Sequence, residues 1–376
     1  MPDEIPLFKL NYDKKEEQAL LDTIRSKWIS TGPKCQQMEK YFSRKTGSKY
    51  CLTTTNCTSA LHLALLAADV GEGDEVLVPS LSFVATANAV KYTDAEPVFC
   101  DITSLNDLTI SPREIKKKIT SKTRAIIPMH YGGFGSNMDA IKKIASEHNL
   151  LIIEDASHAP LATYKNKKLG SIGDIGCFSF YSNKNVSAGE GGMLITNNQK
   201  YYEQCKLLRS HGMTSLAYNR KNGNNTYDVV RLGYNYRMDD IRATLGYVQL
   251  QKLSDEIDKL QDIRTYYEET LEPIEEIILP FKDYPGISTN YIFPVILKNS
   301  NVEKRDRLRK YLKDKGIQTS VHYPAIHEFS IYNEDAVKLP GTEYVARNEI
   351  TLPMFTSLKR SEIDYIAKTL KEFLCQ

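Results

Sequence analysis

From residue 50 to about 197 the chain repeats one unit: a short apolar run, a turn, then a helical segment. Strand-like runs fall at 49–54, 75–79, 96–101, 124–129, 150–154, 175–181 and 192–197, and helical patterns at 60–68, 85–92, 112–119 and 138–147. Repeated β-α units predict an α/β fold with a mixed, mostly parallel sheet flanked by helices on both faces. In such a sheet ligands gather outside the carboxyl ends of the strands. Residues just after apolar strands are therefore the first place to look for chemistry.

Beyond this region the pattern changes. Residues 212–228 (GMTSLAYNRKNGNNTYD) are polar and rich in turn formers, which predicts a long loop. A continuous helical pattern over 241–270 leads into a tail of strand (YIFPVIL), helix (EKRDRLRKYLKDKG), strand (IQTSVHYP) and a closing helix from Arg360. A large domain over 1–250 and a smaller α+β domain over 251–376 are expected, in keeping with 376 residues.

The composition excludes several classes. A net charge of +2 gives no reason to invoke nucleic acid or an anionic membrane. No apolar stretch approaches the length of a membrane span, and MPDEIPLFKL has no apolar core of a signal peptide. Seven cysteines without a CxxC pair argue against a disulfide framework and a zinc site, so no metal is expected and the cytoplasm is the expected location. Lys116, Lys117 and Lys118 follow a helix start at Ser111-Pro112 and fit a solvated helix face.

Two residues stand where the topology directs attention. Asp155 ends the strand LLIIEDA, and Lys184 lies in the turn FSFYSNKNVSAGEGG. A lysine amine forms Schiff bases, and a carboxylate holds a heterocyclic nitrogen protonated; together they are what pyridoxal 5'-phosphate (PLP) chemistry asks of a protein. Alone, Lys184 reads equally as a surface lysine and Asp155 as a hydrogen-bonded turn residue. Asn56, Thr58 and Ser59 open a helix, where they can bind phosphate or simply cap the first turn. Ser179 can pair with backbone or face a ligand, and His158 can be structural or reach the same ligand as Asp155. The glycines of GEGG allow close backbone approach, or only a tight turn.

Taken in order, NCTSALHLALLA, GDEVLVPSLSFVATANAV, IIEDASHA, FSFYSNKNVSAGEGGMLITN and LGYNYRMDDIRATLGYVQL resemble successive motifs of one family, the PLP-dependent nucleotide-sugar aminotransferases of the DegT/StrS type, within fold type I. VHYPAIH and LPMF fit as well, so the resemblance runs from about Trp28 to the C-terminus. It implies that Lys184 binds the cofactor aldehyde, Asp155 pairs with the pyridine nitrogen and His158 sits near the ring hydroxyl. Phe83 would stack on the ring. Thr58, Ser59 and Ser179 would bind the phosphate, joined by Asn235 from a second subunit, which implies a homodimer with shared active sites. The implied substrates are an amino acid donor, glutamate by resemblance, and a nucleotide-linked ketohexose aminated at carbon 4 or carbon 3. Carbon 4 is preferred because NCTSAL resembles perosamine-type synthases. The product would be an amino sugar for a surface polysaccharide or glycoconjugate.

The sequence departs from the family pattern at three places. Cys57 stands where glycine is usual, Ser157 replaces an alanine, and HYGGFGSNMD differs from the commoner loop after the fourth strand. An aminotransferase of a non-nucleotide carbocycle or ketoacid is one alternative, and three other readings compete. A ketosugar deoxygenase on the same fold would carry histidine in place of Lys184. A non-catalytic regulatory protein needs no Schiff-base lysine. A Rossmann dehydrogenase needs a GxGxxG that is missing after the first strand. His322, Tyr323 and His327 flank Pro324, which disfavours a helical metal pair; they are either structural in the small domain or contacts to the sugar or diphosphate. Arg220 and Lys221 could close over an anionic nucleotide or lie on plain solvated surface.

Overall fold

Seven strands form the main sheet because each is a short β-branched or apolar run bounded by turn formers. They are β1 (Tyr50–Thr54), β2 (Glu75–Pro79), β3 (Glu96–Cys100), β4 (Thr123–Ile126), β5 (Leu151–Asp155), β6 (Ile175–Ser179) and β7 (Gly192–Thr196). The computed structural model describes residues 4–215, 226–333 and 337–375, so Arg220 and Lys221 lie outside the described residues. The strand order is β1-β7-β6-β5-β4-β2-β3. Only β7 runs against its neighbours; the pairs β6/β5, β5/β4, β4/β2 and β2/β3 are parallel.

Alternate residues of these strands feed two cores, as a sheet covered on both faces requires. Leu77, Ile126 and Ile152 join one cluster, and Val76, Val78, Ala125 and Ile153 join the other. The same alternation sends Glu154 and Asp155 to opposite faces. Glu154 accepts from the amides of Gly170 (2.7 Å), Ile172 (2.7 Å) and Gly173 (2.6 Å) and pairs with His130 Nε2 at 2.8 Å. It thereby anchors the loop that delivers the chain to β6.

The long helix Asp240–Leu271 starts at the N-cap Asp239. Its first half supplies Leu250, Leu253 and Ile257 to the core of the main sheet. Its second half supplies Leu260, Tyr267 and Leu271 to a separate cluster built with Phe293, Val295 and Ile366. That cluster lies under a three-stranded sheet of Ile277–Ile278, Phe293–Leu297 and Glu349–Leu352, with the last two antiparallel.

The C-terminal reading needs one correction. The segment IQTSVHYP does not form a strand; its only ladder contacts are single bridges, Ile5 to Ile317 and Ser320 to Thr351. Pro324 has no N–H, and the His322 N–H is taken by the Glu349 carboxylate at 2.8 Å, so no ladder can propagate. The second strand is instead Glu349–Leu352, preceded by the helix Pro340–Asn348. None of the described helices is long and apolar enough to cross a membrane.

Candidate active site

Strand register places the chemistry on one rim. Asp155 lies opposite Cys177, two residues before Ser179; Ser179 lies opposite Gly192, and Gly192 opposite Thr54. The turn after β1, the end of β6 and the end of β5 therefore sit side by side at the carboxyl edge of the sheet. The register is tight at Gly192, where a Cβ would come within 2.4 Å of the Asn56 carbonyl carbon. A side chain there would push apart β7 and the turn that carries Thr58.

Between this rim and the C-terminal part lies a cavity of about 530 Å³, lined by Thr58, Phe83, Asp155, Ser179 and Lys184 among others. Lys184 reaches it from the turn after β6, where its N–H bonds the Tyr181 carbonyl at 2.9 Å. Its Nζ lies 4.1 Å from the centroid of the Tyr291 ring. Loss of hydration pushes the amine down to about 7, against the opposing pull of the Asp155 carboxylate. An amine so placed is substantially a free base, hence a nucleophile, near neutral pH.

Asp155 is 4% exposed and makes no ion pair among the described residues. Thr86 donates to its Oδ2 at 2.7 Å and the Ser157 amide to its Oδ1 at 3.1 Å. Ser82 Oγ lies 2.9 Å from Thr86 Oγ1, so a short hydroxyl chain orients the carboxylate. A buried carboxylate with no direct ion pair is expensive, and a cationic group bound in the cavity would offset that cost.

His158 accepts from the Gly132 amide at Nδ1 (3.2 Å), and its Nε2 lies 2.9 Å from the Tyr323 hydroxyl. Burial, with Lys184 and His322 nearby, holds His158 well below its usual value, so the ring is neutral. Phe83 is 57% exposed and faces the Tyr323 ring at 6.1 Å between centroids.

At the start of the helix Cys57–Ala67, Asn56 and Ser59 form a reciprocal capping box. Ser59 is buried and outside the cavity lining; its hydroxyl meets Asn56 and Thr55 instead. Thr58 does line the cavity; the Ser59 amide is capped by Asn56 Oδ1 at 2.9 Å, which leaves the amides of Cys57 and Thr58 without an intrahelical acceptor. Cys57 is the first helical residue and has no positive φ, so replacing the usual glycine costs no backbone strain. Asn235 is exposed and outside this lining, joined to Ser210 by a single bridge. His327 is also outside it, held by Ser80 Oγ at 2.7 Å. His322 and Tyr323, by contrast, line the cavity.

Sequence reasoning missed Tyr291, Thr86 and Asn183. Tyr291 opens an apolar strand that reads as core, and Thr86 sits in an Ala-rich helix with nothing to mark it. The signal for Thr86 was its position, three residues after Phe83 at a helix start on the same rim.

The residues present fit PLP. The Lys184 amine, the buried Asp155 carboxylate, a helix start with the Thr58 hydroxyl and the Ser179 hydroxyl at the end of β6 share one cavity. They match the cofactor's aldehyde, ring nitrogen and phosphate.

Comparison with known proteins agrees. The spore coat polysaccharide biosynthesis protein SpsC of Bacillus subtilis is 35% identical over 100% of this chain and 97% of its own length. GDP-perosamine synthase of Escherichia coli O157:H7 is 36% identical over 98% of each chain. A protein of Streptococcus pneumoniae named as a sugar aminotransferase, solved in its PLP form, superposes with a TM-score of 0.91 at 28% identity, covering 99% of this chain and 98% of that one. The same protein is solved in a PMP form, the aminated state of the cofactor. The fold is that of the fold type I PLP enzymes, and the cofactor is PLP. Residues 11–371 match the DegT/DnrJ/EryC1/StrS aminotransferase family, and the chain belongs to it.

Proposed function

We propose that this aminotransferase moves an amino group from glutamate to a nucleotide-linked 4-keto hexose, with the 3-keto isomer as the second substrate to test. The product would be an amino sugar for a surface polysaccharide or glycoconjugate, made in the cytoplasm. The observation that carries the reading is the enclosed Lys184 amine sharing a cavity with Asp155, in a chain 36% identical to a GDP-perosamine synthase. The preference for carbon 4 rests on that similarity.

PLP, when bound, supplies an electron sink for the bond broken at the amino-bearing carbon. The chain supplies the rest. Asp155, oriented by Thr86 and Ser157, keeps the ring nitrogen protonated. Lys184 would hold the aldehyde, and its amine, lowered to about 7, could move a proton as base and then as acid at neutral pH. Thr58 and Ser179, with the amides of the first helical turn, hold the phosphate. Phe83, in the cavity lining, would cover the ring, and Tyr291 beside Lys184 helps keep water from the amine.

The same proposal makes the working form a homodimer, in which Asn235 of each chain completes the phosphate site of the other. It also divides the chain into a cofactor part over 1–250 and a smaller part over 251–376. Lys184 in place of histidine favours transamination over ketosugar deoxygenation. The test is a panel of GDP-, UDP- and dTDP-linked 4-keto and 3-keto hexoses offered with glutamate, with products read by mass spectrometry. Amination of none of them while the PLP form reacts with glutamate would overturn the sugar assignment.

A further inference from the structure

The hydrogen-bond directions around Tyr323 are fixed by its neighbours. The Gly132 amide can only donate, so His158 Nδ1 is an acceptor. The His158 ring is neutral and carries its single proton on Nε2. That proton points at the Tyr323 oxygen 2.9 Å away, so Tyr323 accepts from His158. The phenol keeps its own proton, since burial raises Tyr323 well above its usual value. Tyr323 lines the cavity, and His158 is the one protein partner its hydroxyl has among the described residues. Its proton is thus available to the cavity, and a phenol that is already accepting a hydrogen bond is a stronger donor.

We propose that Tyr323 is a further catalytic residue, donating a hydrogen bond to the carbonyl oxygen of the keto substrate at the carbon that exchanges oxygen for nitrogen, and that His158 is the residue that positions it. This rests on the transamination reading above. The interaction suits a ketone oxygen, which is an acceptor only, and strengthens as that oxygen gains negative charge. Phe83 on one side and His322 on the other hold the phenol in place, with the His322 ring 4.8 Å from that of Tyr323. Because every transamination cycle unmakes one carbonyl and makes another, the same donor serves both halves of the reaction.

The first test needs no substrate. In histidine-labelled apoprotein, 15N NMR should report His158 as the Nε2–H tautomer, and an Nδ1–H tautomer would overturn the proposal even if the sugar assignment stands. The second test is Tyr323→Phe, which keeps the ring. Amine uptake from glutamate and amine delivery to the keto sugar, each followed by cofactor absorbance in single turnovers, should both slow by about tenfold or more, the scale of one lost buried hydrogen bond. PLP affinity and absorbance maximum should be unchanged. Slowing of the sugar half alone, a shifted absorbance, or a loss of PLP affinity to match would each overturn it. As a rescue, His158→Gln keeps an acceptor and an N–H donor on one amide and should retain most activity, whereas His158→Leu should behave like Tyr323→Phe. Equal losses in the two His158 variants would count against the positioning role.

Discussion

Thr86 donates its hydroxyl hydrogen to Oδ2 of Asp155 over 2.7 Å, across two elements far apart in sequence. With the Ser157 amide on Oδ1, this fixes the plane of the carboxylate before any cofactor arrives. In Thr86→Val the shape is kept and the donor lost. PLP affinity of the apoprotein should fall by about 10- to 100-fold, the range for leaving a buried polar group short of a partner. Thr86→Ser should restore most of it. Absorbance titration reads both, and wild-type affinity in Thr86→Val would show that Asp155 is held by other means.

A second expectation concerns pH. Lys184 is lowered to about 7, so the amine becomes a free base above that value rather than above its ordinary 10.5. Covalent PLP uptake by the apoprotein should rise through pH ~7 and level off by about pH 9. Asp155 acts in the opposite direction, raising the amine. Asp155→Asn should therefore move the midpoint to lower pH, even as it weakens cofactor binding. Borohydride reduction at each pH, followed by mass spectrometry of the peptide carrying Lys184, measures the midpoint. Uptake that continues to climb to pH 10 would mean an unperturbed amine.

Much of this site was legible because its parts follow apolar strands. Asp155 and Ser179 end β5 and β6, Thr58 opens the helix after β1, and Lys184 follows β6 by a single turn. A strand's period of two and a helix's cap fix such positions from local sequence alone. Tyr291, His322 and Tyr323 come from the C-terminal part, and only tertiary packing carries them to the sheet edge. The HYP segment also looked like a strand, because local propensity favours one there. The Glu349 side chain competes for its backbone N–H, and that competitor lies in another element. Ser59 has the expected place at the helix start, and there its hydroxyl donates to the Asn56 carbonyl of the helix cap.

Glu349 gives a stability prediction of known sign. It is fully enclosed, and burial raises it from 4.5 to about 8 despite hydrogen bonds from Thr351 and the His322 amide and the charges of Arg305 and Arg309. Between those two values the folded protein keeps a proton that the unfolded chain has released. The contribution is fully present below pH 4.5 and is lost as pH rises through about 8, on the order of 5 kcal/mol at the upper limit. Glu349→Gln cannot ionise, so it should gain stability relative to wild type progressively over this window. Urea unfolding of both apoproteins at a series of pH values reads the difference. A difference that does not change with pH would remove the raised carboxyl.

Glu154 carries the last prediction, because its environment leaves almost no room for compromise. Its side chain is 0% exposed, and its two oxygens accept from three backbone amides and His130 Nε2. Glu154→Gln would replace one of those oxygens by an NH2 group facing N–H donors, whichever way the amide turns. The loop at 170–173 would lose its anchor, and a cost of about 1–3 kcal/mol is expected for leaving a buried backbone amide without its acceptor. Since Glu154 and Asp155 point to opposite faces of β5, the damage should fall on stability more than on chemistry. The midpoint of urea unfolding should drop markedly, while folded enzyme saturated with PLP should keep its rate of amine uptake from glutamate within about threefold, a difference below 1 kcal/mol. A variant of wild-type stability with a severely slowed half-reaction would reverse that assignment and make Glu154 part of the active site.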